Sequence, residues 1–262
     1  MLLSGNRPQL AIAHSSDIHL LRRLRLAGLG RWVAKRARLV YSAEHLRLDG
    51  APGVVVPMGI AIAEFAATEH DRAAAQKALD LRRPMVLFLG RLVPVKGLDV
   101  LLAALERLSP QQSVELVVAG DGPLRPWLTQ EAARRGLALR CLGEVHGRLK
   151  QQLLWAADVL ALPSLKLPDG RTEGAPVVVW EALAAGCPVV ASEVGGIAGQ
   201  LDGAGLLVPA GDAEALAVAI QRVMSDRDLA EALRRQGLQR ALAADWSHVT
   251  PQLLGPELAR LL

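Results

Sequence analysis

The sequence predicts an α/β fold: one complete doubly wound parallel-sheet domain, preceded by part of a second. Three observations predict it. Hydrophobic residues make up 51% of the chain but Phe, Trp and Tyr only 3%, so the core must be built from Leu, Val and Ala, as in parallel sheets buried under helices. From residue 85 onward short β-like runs alternate with helical patterns, an order that implies right-handed crossovers and parallel pairing. The length, 262 residues, exceeds that of one ordinary compact domain.

The strand-like runs of the second unit are 85–89, 114–119, 139–142, 159–162, 189–191 and 206–208. Between the first two, Leu98, Leu101, Leu102, Leu105 and Leu108 recur at helical spacing. The first sixty residues offer strands at 10–13, 39–41 and 54–56 with a basic helical stretch between the first pair. About three strands is few for an independent doubly wound domain, so residues 1–62 read as the end of a larger unit and Met1 to Asn6 as the tail of a helix. Residues 63–84, rich in Ala and charge, read as a linker or solvated helix. Residues 85–245 form the complete domain. Residues 246–262 form a helical segment returning toward the first unit, broken by Pro251 and Pro256.

The net charge of +4 is concentrated in one place. Arg22, Arg23, Arg25, Arg31, Lys35, Arg36 and Arg38 follow one another with no acid between them, and without them 23 basic residues face 26 acids. This segment is either a solvated helical face or a patch that meets anionic lipid headgroups. No apolar run approaches a membrane span and no signal peptide is recognisable, so the chain is expected in the cytoplasm, with peripheral contact at the inner face of the plasma membrane as an option and no nucleic-acid partner. Cys141 and Cys187 lack paired spacing and read as buried thiols; no metal or cofactor is expected.

Two loops carry chemistry. Gly90-Arg91-Leu92-Val93-Pro94-Val95-Lys96-Gly97 follows a strand and precedes a helix, at the edge where such folds bind ligands. There Arg91 can grip two phosphate oxygens through its planar fork, and Lys96 adds a point charge. In Glu173-Gly174-Ala175-Pro176-Val177-Val178-Val179-Trp180-Glu181, Pro176 suits a first helical position. The free amides of Val177 and Val178 then make an anion site, and Glu181 shares a face with Val177. An unpaired Glu181 among Val179, Trp180, Ala182 and Leu183 would be costly, which favours a ligand-binding role over a structural one. Glu173, in the loop before the helix, can accept hydrogen bonds from sugar hydroxyls.

With the Gly120-Asp121-Gly122-Pro123 turn, the stretch 173–192 and the close 205–212, these loops resemble glycosyltransferase family 4, retaining enzymes with two facing Rossmann-like domains, the GT-B fold. The resemblance spans about 10–250. It implies a retaining, metal-independent transfer of a sugar from a nucleotide-diphosphate sugar. Gly90, Arg91 and Lys96 would then hold the donor diphosphate, Glu173 and Gly174 the transferred sugar, the amides of Val177 and Val178 the distal phosphate, and Glu181 the ribose. The base would rest near Cys141. His14, in Ala13-His14-Ser15-Ser16-Asp17, is similar to the family's His-Gly-Ser-Asp segment, which reaches the donor sugar from the opposite domain. His14, Arg91, Lys96 and Glu173 are therefore the expected catalytic residues.

This sequence departs from the family in three places. The family's opening strand and glycine-rich loop are missing upstream of His14, so a truncated enzyme is expected. A binding module or half-subunit completed by a separate chain is the alternative. Ala198-Gly199 stands where Pro-Glu is common, and Ala61 where an Asp is usual. Resemblance to cell-surface polysaccharide and glycolipid enzymes implies a glycan or lipid-linked acceptor.

Overall fold

The computed structural model describes residues 9–108 and 114–259; Met1 to Asn6, expected to end a helix, lie outside the described residues. Two parallel sheets organise them. The first runs β1 (Leu10–Ala13), β2 (Arg38–Tyr41) and β3 (Val54–Val55) in that spatial order. Helices α1 (Ser15–Arg23) and α2 (Ala27–Ala34) form the crossover between β1 and β2. Ile18, Leu39, Tyr41, Leu46 and Leu48 fill one small core, fixed by a bond from the Tyr41 hydroxyl to the Ala51 carbonyl at 2.9 Å.

After β3 come α3 (Ile62–Phe65) and α4 (Glu69–Ala78). The sequence offers 63–84 as a linker or solvated helix, but α4 is neither. Ala75 is buried, Arg72 donates to the carbonyls of Ala157 and Gly186, and Gln76 donates to that of Ala156. Its Ala-rich face tells against full solvation, because small side chains allow close docking. A Thr68–Asp71 capping box starts the helix.

The second sheet contains β4 (Met85–Leu89), β5 (Glu115–Ala119), β6 (Ala138–Gly143), β7 (Val159–Leu162), β8 (Val189–Ser192) and β9 (Leu206–Val208) in the order β6-β5-β4-β7-β8-β9, every pair parallel. Alternation sorts its side chains. Val86, Phe88, Leu116 and Val118 face α5 (Leu98–Glu106), α6 (Arg125–Arg134) and α10 (Ala213–Ser225). Met85, Leu87, Val117 and Ala119 face α7 (Gly147–Ala156), α8 (Val177–Ala184) and α9 (Ile197–Leu201). Helix α11 (Arg227–Ala241) runs along α8.

Helix α12 (Trp246–Ala259) crosses back to the first sheet. There Val249 and Leu253 pack with Val40 and Val56, and Arg38 donates to the carbonyls of Gln252 and Leu253. The expected break at Pro251 does not occur. The helix carries that proline and is interrupted only at Gly255, at φ 68°, just before Pro256.

Candidate active site

In a parallel sheet every carboxyl edge lies on the same side, so the loops after β4, β5, β7 and β8 converge. Gly90 opens the first loop, and Lys96 reaches back across it, its Nζ 3.7 Å from where a Cβ on Gly90 would stand. The next turn braces this loop: Leu92 donates to the Asp121 carbonyl at 2.9 Å, and Leu124 to the Leu92 carbonyl at 3.1 Å. Asp121 is held below the usual carboxylate range by the Gly122 amide and then by Arg125.

The loop after β7 delivers Glu173 to the same place, where its carboxylate pairs with Lys96 at 2.8 Å. Both side chains are largely covered, at 10% and 14% exposure, so their attraction is screened far less than that of a surface pair. Arg91 is exposed and has no ion-pair partner among the described residues. The loop after β4 therefore presents Arg91 free and Lys96 already shared with an acid.

Pro176 is the cap of α8, not its first helical residue, with φ −65° and ψ 123°. The extended ψ explains the shift: a proline can take this φ one position earlier and leave Val177 to begin the helix. The first backbone bond of the helix runs from Val179 to the Pro176 carbonyl at 3.1 Å. Val177 and Val178 precede that ladder, the geometry of an anion-binding helix start. Gly174 is fixed by accepting from the Gly196 amide at 2.7 Å, and a Cβ on Gly195 would stand 1.9 Å from the Glu173 carbonyl oxygen. Only glycine permits that contact.

Glu181 corrects the sequence reading. It is buried at 7% exposure but not unpaired: Lys150 Nζ on α7 lies 2.5 Å from its Oε1. The cost of an unpaired buried acid therefore gives no reason to assign it a ligand. Lys150 lies 31 positions away, and no local pattern could have indicated it. Cys141 lies half-buried on the edge strand β6, its thiol pushed up by burial against an opposing Thr129 hydrogen bond.

The first sheet turns its own carboxyl edge toward this site. His14 follows β1 and caps α1, its backbone amide donating to Asp17 at 3.0 Å; among the described residues it makes no bond to Glu173 or Lys96. The histidine that does reach across is His45, in the loop after β2, which lines the cleft between the units and whose buried Nε2 has no hydrogen-bond partner among the described residues. Its pKa is lowered from 6.5 by burial and then by the charge of Arg22, with the Glu173 backbone opposing. Nearby, a Cβ on Gly196 would stand 2.9 Å from the Ala43 Cβ. A cleft of about 700 Å³ lies between the two units, lined by His45, Pro57, Trp180, Gly199, Gln200 and Arg240 among others. His45 stands four residues past β2, within the 3-10 turn Glu44–Leu46, and its sequence surroundings carry no signal like that of His14, which directly follows β1. Among the described residues no three of His, Cys, Asp and Glu gather as metal ligands.

Two parallel-sheet units facing each other across their carboxyl edges, with cations and a helix start on one side, define the GT-B class of fold. The chain belongs to the group 1 glycosyltransferases: the family described as "Glycosyl transferases group 1" matches residues 69–240. It is 35% identical over 209 residues to a phosphatidyl-myo-inositol mannosyltransferase of Mycolicibacterium smegmatis, covering 78% of this chain and 51% of the relative. Among solved structures it is similar to sucrose-phosphate synthase of Thermosynechococcus elongatus, with 26% identity and a TM-score of 0.77 over 95% of this chain and 66% of that one. The fold of HepE of Anabaena, solved in complex with UDP-glucose, gives a TM-score of 0.79 at 22% identity, covering 98% and 73%. The chain spans about half the length of the curated relatives it matches.

Proposed function

We propose that this chain binds a nucleotide-diphosphate sugar at the carboxyl edge of the second sheet and takes part in transferring its sugar, with retention of anomeric configuration, to a glycan or lipid-linked acceptor. The observation that carries this reading is the convergence of Arg91, the Lys96–Glu173 pair and the amides of Val177 and Val178 on one edge. In the transfer the bond from the anomeric carbon to the diphosphate breaks and negative charge grows on the leaving oxygens. Arg91, Lys96 and the two amides are donors placed for that charge. The acceptor hydroxyl forms the new bond from the face the diphosphate leaves, and its proton passes to a diphosphate oxygen. Glu173, held beside Lys96, accepts from the sugar's hydroxyls, and Glu181, oriented by Lys150, accepts from the ribose. His14 contributes from the opposing sheet. These steps need no divalent metal.

Calorimetric titration with UDP, GDP and ADP tests the donor half. Binding of one nucleotide, lost in Arg91→Ala and in Lys96→Ala, is expected, and turnover should fall by ~10² to 10³ for each removed donor. A folded chain that binds none of the three removes the reading. The anomer of the product, read by NMR, tests retention.

The membrane contact is also part of this proposal. Leu20, Leu24, Leu26, Leu29 and Trp32 are exposed on α1, α2 and their junction, interleaved with Arg23, Arg25, Arg31, Lys35 and Arg36. Apolar side chains between cations suit an anionic bilayer surface. Sedimentation with phosphatidylglycerol vesicles should exceed that with neutral vesicles and decline with salt. Equal, salt-insensitive binding to both would count against it.

A further inference from the structure

We infer that the chain has a second anion site, beside the donor edge, which holds a phosphate group carried by the acceptor. It is a pocket of about 400 Å³ between α1 and the loop that follows β7. Helix α1 supplies His19, Arg22 and Arg23, which share a face at helical spacing. The opposing loop supplies Lys166, Asp169 and Arg171.

The charges in this pocket do not cancel. Asp169 is its one carboxylate, and Arg171 already satisfies it, through Nε at 2.7 Å and through its backbone amide at 3.0 Å. Arg22, Arg23 and Lys166 remain in excess. Arg22 is held in place, its Nη2 donating to the carbonyls of His45 at 3.0 Å and Arg47 at 2.9 Å, so its other N–H groups need no further ordering to meet a ligand. Arg23 and Lys166 make no ion pair among the described residues. Three like charges brought together from two separate units repel, and an anion between them turns that repulsion into attraction.

Position links the pocket to the reaction. The loop that carries Lys166 and Arg171 runs through Thr172 directly into Glu173, and His45 lines both this pocket and the larger cleft beside the donor edge. A ligand whose phosphate sits here extends its remaining groups toward Glu173. That marks it as the acceptor rather than the donor, whose diphosphate belongs with Arg91 and Lys96. The acceptor assignment rests on the donor reading given above; the anion site itself does not. A phosphate can come from a soluble polyol phosphate or from a phospholipid headgroup, and the same cations serve both.

The test follows the ring signals of His19 by NMR in the 262-residue chain as glycerol phosphate is added, with sedimentation on phosphatidylglycerol vesicles as the second arm. A saturable His19 shift is expected to survive Arg91→Ala and to weaken by roughly tenfold in Arg23→Ala and in Lys166→Ala, the loss typical of one charge-assisted contact. A shift with soluble glycerol phosphate but no vesicle binding that depends on Lys166 supports a soluble acceptor. Vesicle binding lost in Lys166→Ala, with only weak response to glycerol phosphate, supports a lipid one. No Lys166-dependent response to either probe overturns the site, as does a shift abolished by Arg91→Ala and untouched by Lys166→Ala, which would place the anion on the donor edge. Nucleotide binding without a His19 response would sink this inference alone. A His19 response without nucleotide binding would sink the donor reading and leave the anion site standing.

Discussion

The six-stranded sheet has its inner strands covered on both faces, and Met85, Val86, Leu87 and Phe88 are all fully buried. The three-stranded sheet has one small core beneath α1 and α2 and a second beneath α12, a helix borrowed from the far end of the chain. Leu20, Leu24 and Leu29, meanwhile, stand about half exposed. The difference separates two jobs. Loops that must hold cations and amides in fixed positions need a rigid support, and the second sheet provides it. The first unit meets that edge through the loop of Ala43 and His45 and through Ala175, which packs against its small core, so its position depends on lighter packing.

The largest effect should come from altering the rigid side at its tightest point. Gly97 has φ 63°, and a Cβ there would stand 1.9 Å from the Pro163 carbonyl oxygen. Gly97→Ala combines a left-handed backbone, which costs ~1–2 kcal/mol, with a clash that only movement of the loop after β7 can relieve. Denaturant unfolding should show a loss above ~3 kcal/mol, and nucleotide affinity should fall with it because the Lys96–Glu173 pair bridges the same two loops. An unchanged unfolding midpoint would mean that the edge is not rigid. A moderate effect is expected from the borrowed helix: Leu253→Ala should cost ~2–3 kcal/mol. Limited proteolysis should then cut the first unit while 85–245 resists. Uniform loss of protection across both units would show that they unfold as one.

The same contrast governs what the sequence discloses. Strands β7 and β9 match the expected 159–162 and 206–208 at both ends, because continuous apolar runs between turn residues allow little else. Strand β6 extends one residue past its expected bounds at each end, to Ala138–Gly143, because its backbone pairing with β5 runs beyond the apolar stretch. Arg91, Lys96, Glu173 and Val177 lie in local motifs and were legible. Lys150 beneath Glu181 and His45 in the cleft were not, since each reaches its place only after separate elements have packed. The error over Glu181 has the same origin: an acid among apolar neighbours looks unpaired until the helix that brings its lysine is in place. Pro176 differs by one position because a proline's φ suits both a cap and a first helical residue, and only ψ tells them apart.

The smallest expected effect reports on the contact between the two units. His45 has a folded pKa lowered from 6.5 by burial and Arg22, so the folded chain favours the neutral ring while the unfolded chain takes up a proton near the ordinary value. Stability from this group is therefore complete above about 6.5 and is lost as pH falls from there through the folded value, because the unfolded state binds more protons across that window. The wild-type thermal midpoint should decline between pH 7.5 and pH 5.5 by more than that of His45→Gln, which cannot take up the charge. Helix α12 and the first sheet should show the greater rise in amide exchange, since protonation acts at the loop after β2 and leaves the Lys96–Glu173 pair intact. If both proteins decline equally, the contact between the units does not sense acid through His45. If exchange rises first in the second sheet, the contrast between a rigid edge and a lightly held partner is wrong.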